Sequence, residues 1–187
     1  MKARAFLGAA CAFLSLAMCS CSAGKLPFGT DKATDFDTSY AVTADITCGK
    51  LSAKADVTRK AAKEWEFCFT EPKELMGICL TLDESGITAK LGALSVSAEP
   101  TGVYSALPEI IASAVDKLPE IAQESMTEQD GVLTATTEFN GQRVIITAAK
   151  DTGELISLKC PYYKLAVHFS NQTAEPFSTE EITIIEE

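Results

Sequence analysis

From Tyr40 to Val167 apolar residues recur at every second position in one short run after another, and across nearly every intervening turn the apolar faces of the two runs coincide. Tyr40, Val42, Ala44, Ile46 and Cys48 form one such face, Gly49-Lys50 makes a two-residue turn, and Leu51, Ala53, Ala55 and Val57 return on the same side. A loop around Lys60 to Ala62 leads to Trp65, Phe67 and Phe69, expected to face Val57, Ala55 and Ala53. Symmetry about Lys73 and Glu74 then opposes Phe69 to Ile78 and Phe67 to Leu80. The turn at Asp83 to Gly86 opposes Leu82 to Ile87, and that at Gly92-Ala93 opposes Leu91 to Leu94 and Ala89 to Val96. Six strands thereby share one apolar face.

The period changes in Tyr104 to Ser125. Leu107, Ile110, Ile111, Ala114, Val115, Leu118, Ile121 and Ala122 follow helical spacing and gather on one side, opposite Glu109, Asp116, Lys117, Glu120 and Glu124. Pro108 suits a first helical turn, whereas Pro119 demands either a kink or a second short helix restarting near Leu118. Four more strands follow. Leu133 to Phe139 and Val144 to Ala148 flank Asn140-Gly141, a strong hairpin signal that also opposes Glu138 to Arg143. Lys150 to Gly153 turns the chain so that Ala148 opposes Ile156 and Ile146 opposes Leu158. Pro161-Tyr162 is expected to oppose Leu158 to Leu165 and Ile156 to Val167.

A meander with one continuous apolar face cannot stay flat and uncovered in water. The expected fold is mainly antiparallel β with a central helical segment: an unclosed half β-barrel built as a six-strand meander, helix and four-strand meander, with the helix laid across its mouth. Residues 39–171 form this domain, after a flexible tether at 21–38 and before an acidic tail at 172–187, in which Ile182 to Ile185 either adds an edge strand or frays.

Residues 1–20 carry Lys2 and Arg4 ahead of an apolar run from Ala5 to Met18, too short for a comfortable span of about 20 residues and placed as an export signal. Its end resembles the lipobox of bacterial lipoproteins, with Cys21 after the small Ser20 as the acylated residue and Cys19 as the alternative. An ordinary secretory signal or an uncleaved anchor is the competing reading. The implied location is extracytoplasmic, lipid-anchored to a bacterial cell membrane, since more than one acyl chain holds a protein stably at a bilayer. Processing removes two of the positive charges and takes the formal net charge from −10 to −12, a self-repelling surface that excludes nucleic acid, which needs a dense Lys/Arg footprint. Four cysteines remain after Cys21: Cys48, Cys68, Cys79 and Cys160. They match no common zinc spacing, so no metal is expected. The hairpin register sets Cys68 opposite Cys79, where a cross-strand disulfide is plausible, the alternatives being free thiols or a register shifted by one.

The export signal ending Ser20-Cys21, the meander containing Trp65-Glu66-Phe67-Cys68-Phe69-Thr70-Glu71-Pro72, the helical interruption and the final Lys164 to Asn171 block together resemble the LolA/LolB-type lipoprotein-carrier superfamily and the related LppX/LprG-type lipoproteins. That resemblance implies an unclosed barrel lined by apolar side chains, covered by helices and carrying acyl chains of lipids or lipoproteins. Its expected lining is Trp65, Phe67, Phe69, Ile78, Leu80, Ile110, Ile111, Val115, Ile146 and Leu158. The alternative is a fully packed barrel in a structural envelope lipoprotein with a protein partner, docking on a surface such as that near Tyr162 and Tyr163. No enzymatic activity or cofactor is expected. The lone His168 lies on the face opposite Leu165, Val167 and Phe169, and Asp151-Thr152-Gly153 reads as a hairpin turn.

Overall fold

The structure, a computed structural model, describes residues 36–98 and 106–174. The chain forms β1 (Tyr40–Cys48), β2 (Leu51–Ala61), β3 (Glu64–Glu71), β4 (Ile78–Asp83), β5 (Gly86–Leu91) and β6 (Leu94–Ala98). Helices α1 (Leu107–Asp116) and α2 (Leu118–Glu124) follow, then β7 (Thr127–Gln129), β8 (Val132–Phe139), β9 (Gln142–Ala149), β10 (Leu155–Cys160) and β11 (Leu165–Thr173). All pairings are antiparallel, and the spatial order is β6-β5-β4-β3-β2-β1-β11-β10-β9-β8-β7. The two meanders therefore join through β1 and β11. Among the described residues the outermost strands, β6 and β7, are the two that flank the helices in sequence, so the sheet is an open half-barrel, and α1 packs against β4, β8 and β9.

Both prolines fall in a first helical turn, where a missing N–H costs no internal hydrogen bond, and Lys117 is the junction between the helices. Leu107, Ile110, Ile111, Ala114 and Val115 of α1 pack with Val42, Ile46, Phe67, Ile146 and Leu158 in one core.

Six of the expected hairpin registers stand as read: β1/β2, β4/β5, β5/β6 and β8/β9 throughout, Phe67 opposite Leu80 and Cys68 opposite Cys79 in β3/β4, and Ile146 opposite Leu158 in β9/β10. Elsewhere the pairing differs for local reasons. The β2–β3 turn is only Ala62-Lys63, with Lys63 left-handed, so Trp65 opposes Arg59, Phe67 opposes Val57 and Phe69 opposes Ala55. The rings keep their face but slide one pair along. An irregularity between Leu155 and Ser157 puts Leu155, in place of Ile156, opposite Ala148 and into the core. The β10–β11 connection is a 3-10 turn over Pro161–Tyr163 closed by left-handed Lys164. It sets Cys160 opposite Leu165 and Leu158 opposite Val167.

Strand β7 is additional to the expected four after the helix. Its residues are polar and exposed, so it carries no alternating signal, and it pairs with β8 through the positive-φ turn Asp130-Gly131. The end of the expected tether is also fixed: Phe36 is buried in the core, and Thr38 accepts a hydrogen bond from Arg59. At the other end β11 runs to Thr173, two residues beyond the expected boundary. Cys19, Cys21 and the segment 182–185 lie outside the described residues.

Candidate functional site

Same-face residues of β3 to β6 stand in three rows across the strands. The first is Trp65, Leu82 and Ile87; the second is Phe67, Leu80, Ala89 and Val96; the third is Phe69, Ile78, Leu91 and Leu94, with Phe69 beside Ile78 by continuation of the register. Burial falls along the second and third rows, whereas Ile87 at the end of the first is buried. Trp65 and Phe67 are sealed and Leu80, Ile78 and Phe69 half-buried, while Leu91 is 50%, Val96 64% and Leu94 70% exposed. Met76, in the neighbouring β3–β4 turn, is 58% exposed.

The cause is geometric. α1 packs against β4 on one side and against β8 and β9 on the other, so the sheet curls round it, and β5 and β6 lie beyond β4 toward the sheet edge. The apolar pattern continues past the end of its cover. On the opposite face, Cys68 and Cys79 form a disulfide that ties β3 to β4 beneath this surface.

The ten residues expected to line a cavity therefore divide into two groups. Trp65, Phe67, Ile110, Ile111, Val115, Ile146 and Leu158 are fully buried and packed together. A void beside Val115 of α1, lined also by Phe36, Thr38, Tyr40, Gly153, Leu155 and Gln172, measures about 10 Å³, room for about one water molecule. Phe69, Ile78 and Leu80 lie instead on the open face. A larger surface cleft of about 300 Å³, lined by Asp45, Ile46, Thr47, Ser52, Ala53, Lys54, Glu71 and Pro72, is half polar and lacks the apolar walls that hold an alkyl chain.

One polar cluster interrupts the core. Arg59, 0% exposed, donates from Nε to Asp116 Oδ1 (2.9 Å), from an Nη to the Thr38 carbonyl (2.8 Å) and from the other Nη to Asp37 Oδ1 (3.0 Å). Asp116 Oδ2 accepts from Trp65 Nε1 (3.0 Å) and from the Lys63 backbone N–H (2.9 Å). Arg59 also lies 5.9 Å from the centre of the Trp65 ring. A carboxylate at the last residue of a helix opposes the helix dipole, and the buried guanidinium offsets that cost. Burial pulls the Arg59 pKa down, but the hydrogen bonds to Asp116 and Asp37 outweigh it and hold the group above its ordinary value. Arg59 shares the inward parity of Ala53, Ala55 and Val57, which is the sequence signal for this cluster. Asp116, on the polar side of the helical pattern, carried none.

The other marked residues have structural places. His168 is exposed, Asp151 and Thr152 form an exposed turn before left-handed Gly153, and Tyr163 packs edge-on against Phe139 while Tyr162 points outward. Glu66 approaches Cys68 and Cys79, but a disulfide offers no thiolate to a metal. Cys48 and Cys160 are buried thiols; burial first and Cys160 second push the Cys48 pKa up, which keeps it protonated.

No protein-family model and no curated relative matches the sequence. Three solved structures are similar in fold. An uncharacterized conserved protein from Thermus thermophilus aligns over 76% of this chain and 82% of its own, with 10% identity and a TM-score of 0.47. A LolA superfamily protein from Nitrosomonas europaea aligns over 77% and 89%, with 9% identity and a TM-score of 0.38. A domain provisionally described as an outer membrane lipoprotein-sorting protein, from Vibrio parahaemolyticus, aligns over 73% and 85%, with 8% identity and a TM-score of 0.38. At these scores the likenesses carry no functional weight.

Proposed function

We propose that the protein binds an apolar chain, the acyl moiety of a lipid or lipoprotein, on the open face of β3 to β6, and that it does so as a non-catalytic, lipid-anchored protein outside the cytoplasm. The supporting observation is the contiguous apolar surface made by Leu91, Leu94, Val96 and Met76 with the half-buried Phe69, Ile78 and Leu80. Large side chains exposed together on one sheet face mark a binding surface more often than scattered ones do. Covering the exposed parts of the first four contributes roughly 5 kcal/mol gross, before the ordering of the ligand is subtracted. The anchor rests on the Ser20-Cys21 signal, and the Cys68–Cys79 disulfide is consistent with an oxidising compartment.

A second reading, in which a protein partner adds a strand, is favoured by one feature. Edge strand β6 reads Leu-Ser-Val-Ser-Ala with no charge or proline, whereas β7 at the other edge is three polar residues with Glu128. One experiment separates the two. A fluorescent fatty acid is titrated against Leu94→Glu/Val96→Glu, which charges the apolar face, and against Ser95→Glu/Ser97→Glu, which charges the reverse. At least a tenfold loss of affinity is expected in the first variant and little change in the second; wild-type affinity in the first would remove the proposal.

A further inference from the structure

We infer that the corner formed by Tyr40, Arg59 and Phe36 is a second ligand site, for the anionic head and first carbons of a single-chain amphiphile, and that Phe36 and Asp37 occupy it in this structure as an internal stand-in. It is separate from the open face, which lies toward the β5–β6 edge of the sheet.

The side chains of Phe36 and Asp37 reproduce the two halves of such a ligand. Phe36 is buried among core residues, and the adjacent Asp37 places a carboxylate on Arg59 while its own side chain remains 68% exposed. Two of the three hydrogen-bonded guanidinium nitrogens are satisfied only by this N-terminal approach, through the Thr38 carbonyl and the Asp37 carboxylate. The third is held by Asp116, which belongs to the fold proper. Displacing residues 36 and 37 would therefore take the acceptor from one guanidinium nitrogen of a buried cation, a strong recognition element for a carboxylate or phosphate. An incoming anion would replace the charge of Asp37 one for one.

Tyr40 supplies an independent observation. It pairs directly with Arg59 across β1 and β2, and its buried hydroxyl has no hydrogen-bonding partner among the described residues. Buried hydroxyls are rarely left so, and a donor unused by the fold beside a cation is suited to a second oxygen of an anionic head. Burial pushes the Tyr40 pKa up, so the hydroxyl stays a donor. Tyr40, Phe36 and Thr38 together line the void of about 10 Å³ beside Val115 and Leu155, so the space vacated by the Phe36 ring would join an existing gap.

Trp65 is the only tryptophan and lies against both partners, 6.1 Å from the Tyr40 ring and 5.9 Å from the Arg59 guanidinium carbon, so its fluorescence reports this corner. Palmitate, hexadecyl phosphate and hexadecanol are titrated against the full wild-type chain and Phe36→Ala/Asp37→Asn. The variant is expected to bind at least one anionic amphiphile tenfold or more tighter than wild type does, and tenfold tighter than it binds hexadecanol. The preferred anion separates a free fatty acid from a phospholipid-type head. Adding Tyr40→Phe should remove several-fold of the anion preference and leave hexadecanol unchanged. Equal binding of all three amphiphiles, or no tightening over wild type, overturns the inference. Should the double variant fail to fold by near-ultraviolet dichroism, Asp37→Asn alone is expected to gain about threefold for the anion, and an unchanged affinity there overturns it equally. Leu94→Glu/Val96→Glu should leave the Trp65 response intact, so failure of the open-face proposal is read separately.

Discussion

Asp116→Asn removes the carboxylate that receives Arg59 Nε, Trp65 Nε1 and the Lys63 amide, all within 3.0 Å, while preserving size. The guanidinium stays 0% exposed and keeps only the Thr38 carbonyl and the solvent-facing Asp37. Removing one partner of a buried ion pair costs about 3–5 kcal/mol. Because Arg59 retains two acceptors and the asparagine oxygen recovers one bond, the low end applies, about 3 kcal/mol. For a domain of this size that lowers Tm by roughly 6–12 °C. Asp37→Asn, at the exposed end of the same guanidinium, should cost less than about 1 kcal/mol. Urea unfolding followed by Trp65 fluorescence and far-ultraviolet dichroism measures both, with coincident transitions required before either value is used. An Asp116→Asn loss below about 1 kcal/mol, or equal losses at the two positions, would refute the claim that this cluster joins α1 to the sheet.

Three further outcomes follow from the same geometry. Ile111→Ala, in the sealed core beneath α1, is expected to cost about 3 kcal/mol, and Leu94→Ala, 70% exposed, less than about 0.5 kcal/mol; chemical denaturation distinguishes a graded core from this divided one. Reducing Cys68–Cys79, a link across 11 residues of sequence, should lower stability by about 3 kcal/mol if loop entropy dominates, read by denaturation with and without reductant. Tyr40 has a folded-state pKa raised above its ordinary value of 10.0, so its contribution is complete below pH 10 and is lost as pH rises through the folded pKa. Wild type should therefore lose stability above pH 10 relative to Tyr40→Phe; parallel pH profiles would contradict the assignment.

Most of the sheet was legible because turn chemistry and apolar parity constrain the same register. Asn140-Gly141 and Gly92-Ala93 fix which residues pair, and the faces on either side agree. Legibility failed where one of the two constraints was absent. Leu155 and Ile156 are both apolar, so parity could not choose between them once the strand bulged. Thr127 to Gln129 have no apolar member, leaving β7 without a signal. Phe36 is a single aromatic in a polar stretch, and only its tertiary contacts show that it belongs to the core. The open face was the least legible feature, since the alternation of Leu91, Leu94 and Val96 is the same whether or not a helix reaches them. It was the packing of α1 against β4, β8 and β9, with β5 and β6 beyond it, that decided which expected lining residues became core and which remained at the surface.

The central claim is that the interior is closed and the apolar face of β4 to β6 is where a ligand chain lies. Photolabelling with a diazirine-bearing fatty acid, followed by peptide mapping, tests it directly. Adducts are expected on the peptides carrying Met76, Leu91, Leu94 and Val96, competed away by unlabelled fatty acid. Adducts concentrated on Ile146 and Leu158, or labelling that unlabelled fatty acid does not compete, would contradict it.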